Sequence, residues 1–205
     1  MIALIPLLLA AAAPAGDADV PTRSLYLQLI RQARADGRPR AAIAYLDDFD
    51  RRYPGDADAR ILRINSLLDL GDLDAADAAA AGLPAQGSSA ARGHLLAARG
   101  RWAEAVPFYQ QAVAASPADP MLRNALGYAQ LLAGFPAEAI ETLRGALDLA
   151  PRAPVIRNNL LLALSAGGQG SQAEAVIAQI RDHREQDALR RQLAAQAARL
   201  PAKGH

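Results

Sequence analysis

Five glycines, Gly37, Gly71, Gly100, Gly134 and Gly168, stand at intervals of 34, 29, 34 and 34 residues. A period of this length marks one supersecondary unit repeated along the chain, and such a unit buries its apolar face only against its neighbours. An alanine follows each glycine by five residues: Ala42, Ala76, Ala105, Ala139 and Ala173. A proline closes three of the units seventeen residues after the glycine, at Pro54, Pro117 and Pro151. A small residue there lets two helices approach closely, and a proline stops a helix because it supplies no N–H.

Residues 120–151 show the unit most clearly. Leu122, Leu126, Ala129 and Leu132 recur at helical spacing before Gly134, and Ala139, Ile140, Leu143, Ala146 and Leu147 recur after it. Both stretches read as helices with one apolar face. Gly134 falls where the first helix must end, a position that takes the left-handed backbone conformation. The period therefore predicts a row of helical hairpins over units 23–56, 57–85, 86–119, 120–153 and 154–185. The second unit is five residues short, and its second helix, rich in alanine, stops at Leu83-Pro84.

These residues resemble the tetratricopeptide repeat family. Leu126-Gly127 inside the first helix, Gly134 at the turn, Glu138-Ala139-Ile140, Ala146 and Pro151 stand where that family's pattern has its marked positions. The resemblance covers residues 23–185. It implies an all-α fold: a right-handed superhelical solenoid of about five helical hairpins, with a C-terminal capping helix over residues 186–200.

The ends lie outside the period. Residues 1–15 carry an apolar run, Ile2 to Ala13, followed by Ala13-Pro14-Ala15-Gly16, and resemble a secretory leader with a small-residue cleavage site. No Lys or Arg precedes the run. A short membrane anchor or a plain apolar helix are the other readings, and the run is short for a bilayer span. A cleaved leader implies a bacterial periplasmic or secreted protein with no integral membrane span afterwards. Residues 16–22 read as a linker and 201–205 as a tail. Between them, Leu189, Leu193, Ala197 and Leu200 form one apolar stripe among arginines and glutamines. That helix caps the last hairpin, or else docks on a partner or on lipid.

Composition narrows the function. With 22 basic and 21 acidic residues, 12 against 12 up to Trp102 and 10 against 9 beyond it, the chain has no electrostatic footprint for nucleic acid. The absence of cysteine removes disulfides, thiol catalysis, thiolate metal sites and a lipid-bearing thiol. His94, His183 and His205 have no metal-ligand spacing. Gly167-Gly168-Gln169-Gly170 follows a helix and lacks the Lys-Ser/Thr step of a phosphate loop, so it reads as a turn. Asp47, Asp48 and Asp50 read as a solvated helix face, and Trp102 and Tyr109 as core. No catalytic residue and no cofactor is expected.

Function then falls to the surface the stack creates. The resemblance implies a concave groove lined by the first helices at the second, fifth, ninth, twelfth and thirteenth positions of each unit. Carried onto this chain, these give Leu27, Arg31, Arg34, Asn65, Asp69, His94, Asn124, Tyr128, Asn158 and Ser165. Asparagines offer both donor and acceptor to an extended backbone, tyrosine adds flat apolar area, and arginines hold carboxylates. A protein partner, entering as a peptide or a helix, is the expected ligand. The family's carboxylate-clamp subgroup is excluded, because Leu27, Ile61 and Ala90 occupy the fifth positions where its lysine would stand. The last unit is also similar in style to exported TadD-type pilus-assembly proteins, which implies an envelope, pilus or secretion machine. Self-association through the C-terminal helix or a stack end is the alternative.

Overall fold

Hairpins form because each unit carries two apolar stripes that meet across a glycine turn. The computed structural model describes residues 20–84 and 87–197. Among these it contains eleven helices and no strand. The first helices of successive units are α1 (Val20–Ala35), α3 (Ala57–Asp69), α5 (Ser89–Ala98), α7 (Pro120–Leu132) and α9 (Pro154–Ala166). Their partners are α2 (Pro39–Arg52), α4 (Leu73–Ala80), α6 (Trp102–Ala115), α8 (Pro136–Leu149) and α10 (Gly170–Ile177), and α11 (His183–Ala197) follows.

All five periodic glycines adopt positive φ, from 69° at Gly37 to 89° at Gly134. The five periodic alanines are buried, four of them fully inaccessible. Gly127 shows how tightly the two helices of a hairpin close: a Cβ built there would lie 2.5 Å from Leu143 Cγ. Asp56, Asp72 and Asp119 cap α3, α4 and α7 by accepting from backbone N–H groups of the first turn.

Burial is organised locally, as a stack requires. One cluster joins Leu27, Ile30, Leu46, Phe49 and Leu62 across the first two units; smaller ones around Ile64 and Tyr109 carry the packing onward. A larger cluster gathers Leu131, Leu143, Leu160, Leu161, Leu164 and Ile177 with Leu189 and Leu193 of α11.

The boundaries differ from expectation at both ends. α1 begins at Val20, so Val20, Pro21 and Thr22 form its first turn rather than a linker; a proline there costs no helical hydrogen bond. α10, like α4, has only eight residues, whereas α2, α6 and α8 have fourteen. α11 consequently starts at His183, inside the stretch expected to complete the fifth hairpin. Asp182 begins it by accepting from Arg184 N at 2.8 Å. The leader-like residues 1–15, Leu200 and the tail 201–205 lie outside the described residues.

Leu189 and Leu193 of the α11 stripe are buried in the stack. Leu189 and Leu193 are 5% and 6% exposed, Arg157 of α9 donates to Glu185 and Arg190 donates to Glu174 of α10. α11 therefore occupies the place of a further first helix against α9.

Candidate groove on the first-helix face

The first helices pack side by side in two rows. α1 touches α3 and α3 touches α5; α7 touches α9 and α9 touches α11. Between the rows, α5 and α7 make little direct contact and are joined through α6, which packs on both. The two rows present different chemistry.

The row of α1, α3 and α5 is open and polar. Arg34 Nε donates to Asp69 Oδ2 at 2.9 Å, linking α1 to α3. His94 Nδ1 lies 3.2 Å from Asn65 Oδ1, linking α3 to α5. The His94 ring also leans on Tyr109 of α6, centroids 5.5 Å apart. Arg34, Asn65, Leu68, Asp69, His94, Ala98 and Tyr109 line an open cavity of about 270 Å³. A second cavity shares Arg34 and Asp69 and adds Arg31, Ala35, Gly37 and Pro39. Arg31 is exposed and carries no ion-pair partner among the described residues.

Electrostatics here are balanced. Burial pushes the His94 imidazole below its ordinary value, the Arg34 charge reinforces that, and Asp69 opposes it. His94 is therefore neutral near pH 7. Burial likewise holds the Tyr109 phenol well above the usual tyrosine range, so its hydroxyl stays protonated.

The row of α7, α9 and α11 is filled. Asn124 is 8% exposed, and its Oδ1 accepts from Asn159 Nδ2 at 2.9 Å. Tyr128 is half-buried, edge-on to Trp102 with centroids 5.8 Å apart. Asn158 Oδ1 is buried without a protein donor, and Ser165 donates to Leu161 O within its own helix. Leu131 and Leu162 are each 4% exposed in the cluster that includes Leu189 and Leu193.

Of the ten residues expected in the groove, the fold thus brings five together: Arg31, Arg34, Asn65, Asp69 and His94. Leu27 is 2% exposed and belongs to the core between the first three helices, because an apolar residue at that register turns toward α3. Asn124 is buried against Asn159, Ser165 donates to its own helix, Tyr128 leans on Trp102, and Asn158 is half-buried with its Oδ1 unpaired, so these four stand apart from the five. Tyr109, expected as core, contributes to the cavity as well as to packing. The signal for it was Gly93 one residue before His94: a Cβ there would lie 2.9 Å from the Tyr109 ring, so the glycine admits a long side chain toward the groove.

Stacked hairpins with an open face of first helices define a helical-repeat protein. The chain belongs to the tetratricopeptide repeat family, whose model matches residues 27–91 and 90–154, more than half its length. No curated protein matches it. Solved structures share the fold at low identity. MamA (residue 41 to the end) from Desulfovibrio magneticus RS-1 is 23% identical with a TM-score of 0.60, covering 87% of this chain and 98% of its own. TTC0263, a thermophilic tetratricopeptide protein of Thermus thermophilus, is 22% identical with a TM-score of 0.67, covering 84% and 97%. PilF of Pseudomonas aeruginosa is 21% identical with a TM-score of 0.65, covering 87% and 88%. Among the described residues no helix is long and apolar enough to cross a membrane.

Proposed function

We propose that this protein is a non-catalytic scaffold that holds a segment of a partner protein against α1, α3 and α5. The observation that carries this reading is the contrast between the two rows. One row leaves polar side chains around two cavities that share Arg34 and Asp69, while the other uses the Asn124–Asn159 pair and its leucines in its own packing. A surface that stays open and polar beside a filled one is the surface available to a ligand. The partner enters as an extended peptide or a short helix. Residues 1–15 support export to a bacterial envelope, in the service of a pilus or secretion assembly.

A photo-crosslinking amino acid in place of Arg31 tests this in the native cells, with the same group at Glu141 on α8 as the control. The expected result is a defined adduct from position 31 and none from position 141. Equal adducts from both positions, or adducts from 141 alone, contradict it.

A second reading, self-association, draws on α1 rather than α11. Leu25 and Leu29 are 67% and 46% exposed at unit positions whose later counterparts Ala59, Leu126, Ile156 and Leu160 are buried, whereas Leu189 and Leu193 are buried. Sedimentation separates the readings: self-association through α1 predicts a mass that falls when Leu25 and Leu29 are both changed to glutamate, and the scaffold reading predicts no change.

A further inference from the structure

We propose that the cavity at the floor of the open row is a carboxamide pocket, built to receive a neutral asparagine or glutamine side chain of the bound segment. This rests on the reading of the open row as the partner site, and it names what that site selects.

The cavity of about 270 Å³ is several times the roughly 30 Å³ share of a water molecule, enough for one amino-acid side chain. Its floor is set by three polar groups from three helices. Asn65 Oδ1 is an acceptor only, so the 3.2 Å contact requires His94 to carry its proton on Nδ1. That leaves the Nε2 lone pair of a neutral imidazole as an acceptor. Asn65 Nδ2 remains a donor with no partner among the described residues, and so does the hydroxyl of Tyr109, whose side chain is 3% exposed. An acceptor at Nε2, a donor at Asn65 Nδ2 and a hydroxyl that can do either match a carboxamide, which gives N–H to Nε2 and takes hydrogen bonds on its oxygen.

Charged side chains fit less well. The rim is neutral overall, because Arg34 already donates to Asp69. A carboxylate entering here gains Arg34 but meets the Asp69 charge and the Nε2 lone pair, and it gives up its hydration. An ammonium gains Asp69 and the Nε2 lone pair but meets the Arg34 charge and the Asn65 Nδ2 donor, and it too gives up its hydration. The groups that face His94 are Arg34 from α1, Asn65 and Asp69 from α3 and Tyr109 from α6. When His94 is protonated, Nε2 becomes a donor and the complement to a carboxamide is lost. Binding therefore weakens as pH falls below the ordinary histidine range.

The test uses the full chain labelled with ¹³C in its histidines, the His94 signal being assigned with His94→Gln. The probes are N-acetyl-asparagine N-methylamide and its aspartate and alanine counterparts. At pH 7.5 the asparagine probe is expected to shift the His94 signal with about tenfold greater affinity than either counterpart, the factor that one or two well-made hydrogen bonds supply. The preference should weaken as pH falls below the ordinary histidine range and be lost once the His94 signal itself reports protonation. Tyr109→Phe, which keeps the ring, should weaken the asparagine probe several-fold and leave the alanine probe unchanged. Equal affinity of the asparagine and alanine probes, tighter binding of the aspartate probe, or a preference independent of pH overturns the proposal. If no probe moves His94 while crosslinking from position 31 still captures a partner, the carboxamide pocket fails and the scaffold reading stands; if both fail, both are wrong.

Discussion

Single residues carry the turn, the close approach and the titration in this fold. Gly134 has φ of 89°, so Gly134→Val places a branched side chain in left-handed backbone and should cost about 1–2 kcal/mol or more in a urea melt. Two helical glycines make a sharper comparison. Gly127→Ala drives a methyl into Leu143 and should destabilise by about 1–3 kcal/mol, less the gain in helix propensity. Gly145→Ala meets only the tip of the flexible Arg123 side chain at 3.4 Å and should stabilise by about 0.5–1 kcal/mol. His94 supplies the pH dependence. Its folded-state basicity lies below its unfolded value near 6.5, so the unfolded chain binds the proton more readily. The stability present above that value is lost as pH falls below it. Urea unfolding of wild type between pH 7.5 and 5.5 should show this loss, and His94→Gln should reduce it. At this scale the sequence was legible where backbone conformation dictates the residue, as at the periodic glycines. It was opaque at Asn124 and Leu27, because a register position alone does not say whether a neighbour covers the side chain.

Helices are the scale at which the sequence read best and also misled. The apolar spacing around Gly134 located α7 and α8, and Asp119-Pro120 marks the start of α7 with a cap and a first-turn proline. Asp119→Ala should cost about 1 kcal/mol by thermal melting, since the N–H groups of Met121 and Leu122 lose their acceptor. The eight-residue α10 was harder to see. Its sequence stays apolar through Ile180, and the stop is set by Asp182 capping the next helix, so α11 arrives 29 residues after α9 begins, the same step that separates Gly71 from Gly100. The outcome is that α11 buries Leu189 and Leu193 in the cluster that includes α9. Leu193→Asp would place a charge in that contact and should lower stability by several kcal/mol, with the loss seen first as faster hydrogen exchange in α9 and α10 rather than in α1 or α2.

The whole molecule is a line of local contacts, and its division into two rows follows from the same locality. Where α5 and α7 are joined mainly through α6, the two rows are only loosely coupled, so one can be filled and the other open. The period announces the stack but not this asymmetry, because it depends on which polar residues find partners after packing. In the filled row Asn124 finds Asn159, and in the open one Asn65 and His94 find each other while leaving donors and an acceptor free. A partner held on α1, α3 and α5 should shield those helices and leave the filled row untouched. Hydrogen–deuterium exchange of the protein with its crosslink-identified partner reads that difference directly. Protection should appear in residues 24–35, 58–69 and 89–98, with 120–132 and 154–166 unchanged. Protection centred on α7 and α9, or on the second helices, would contradict it.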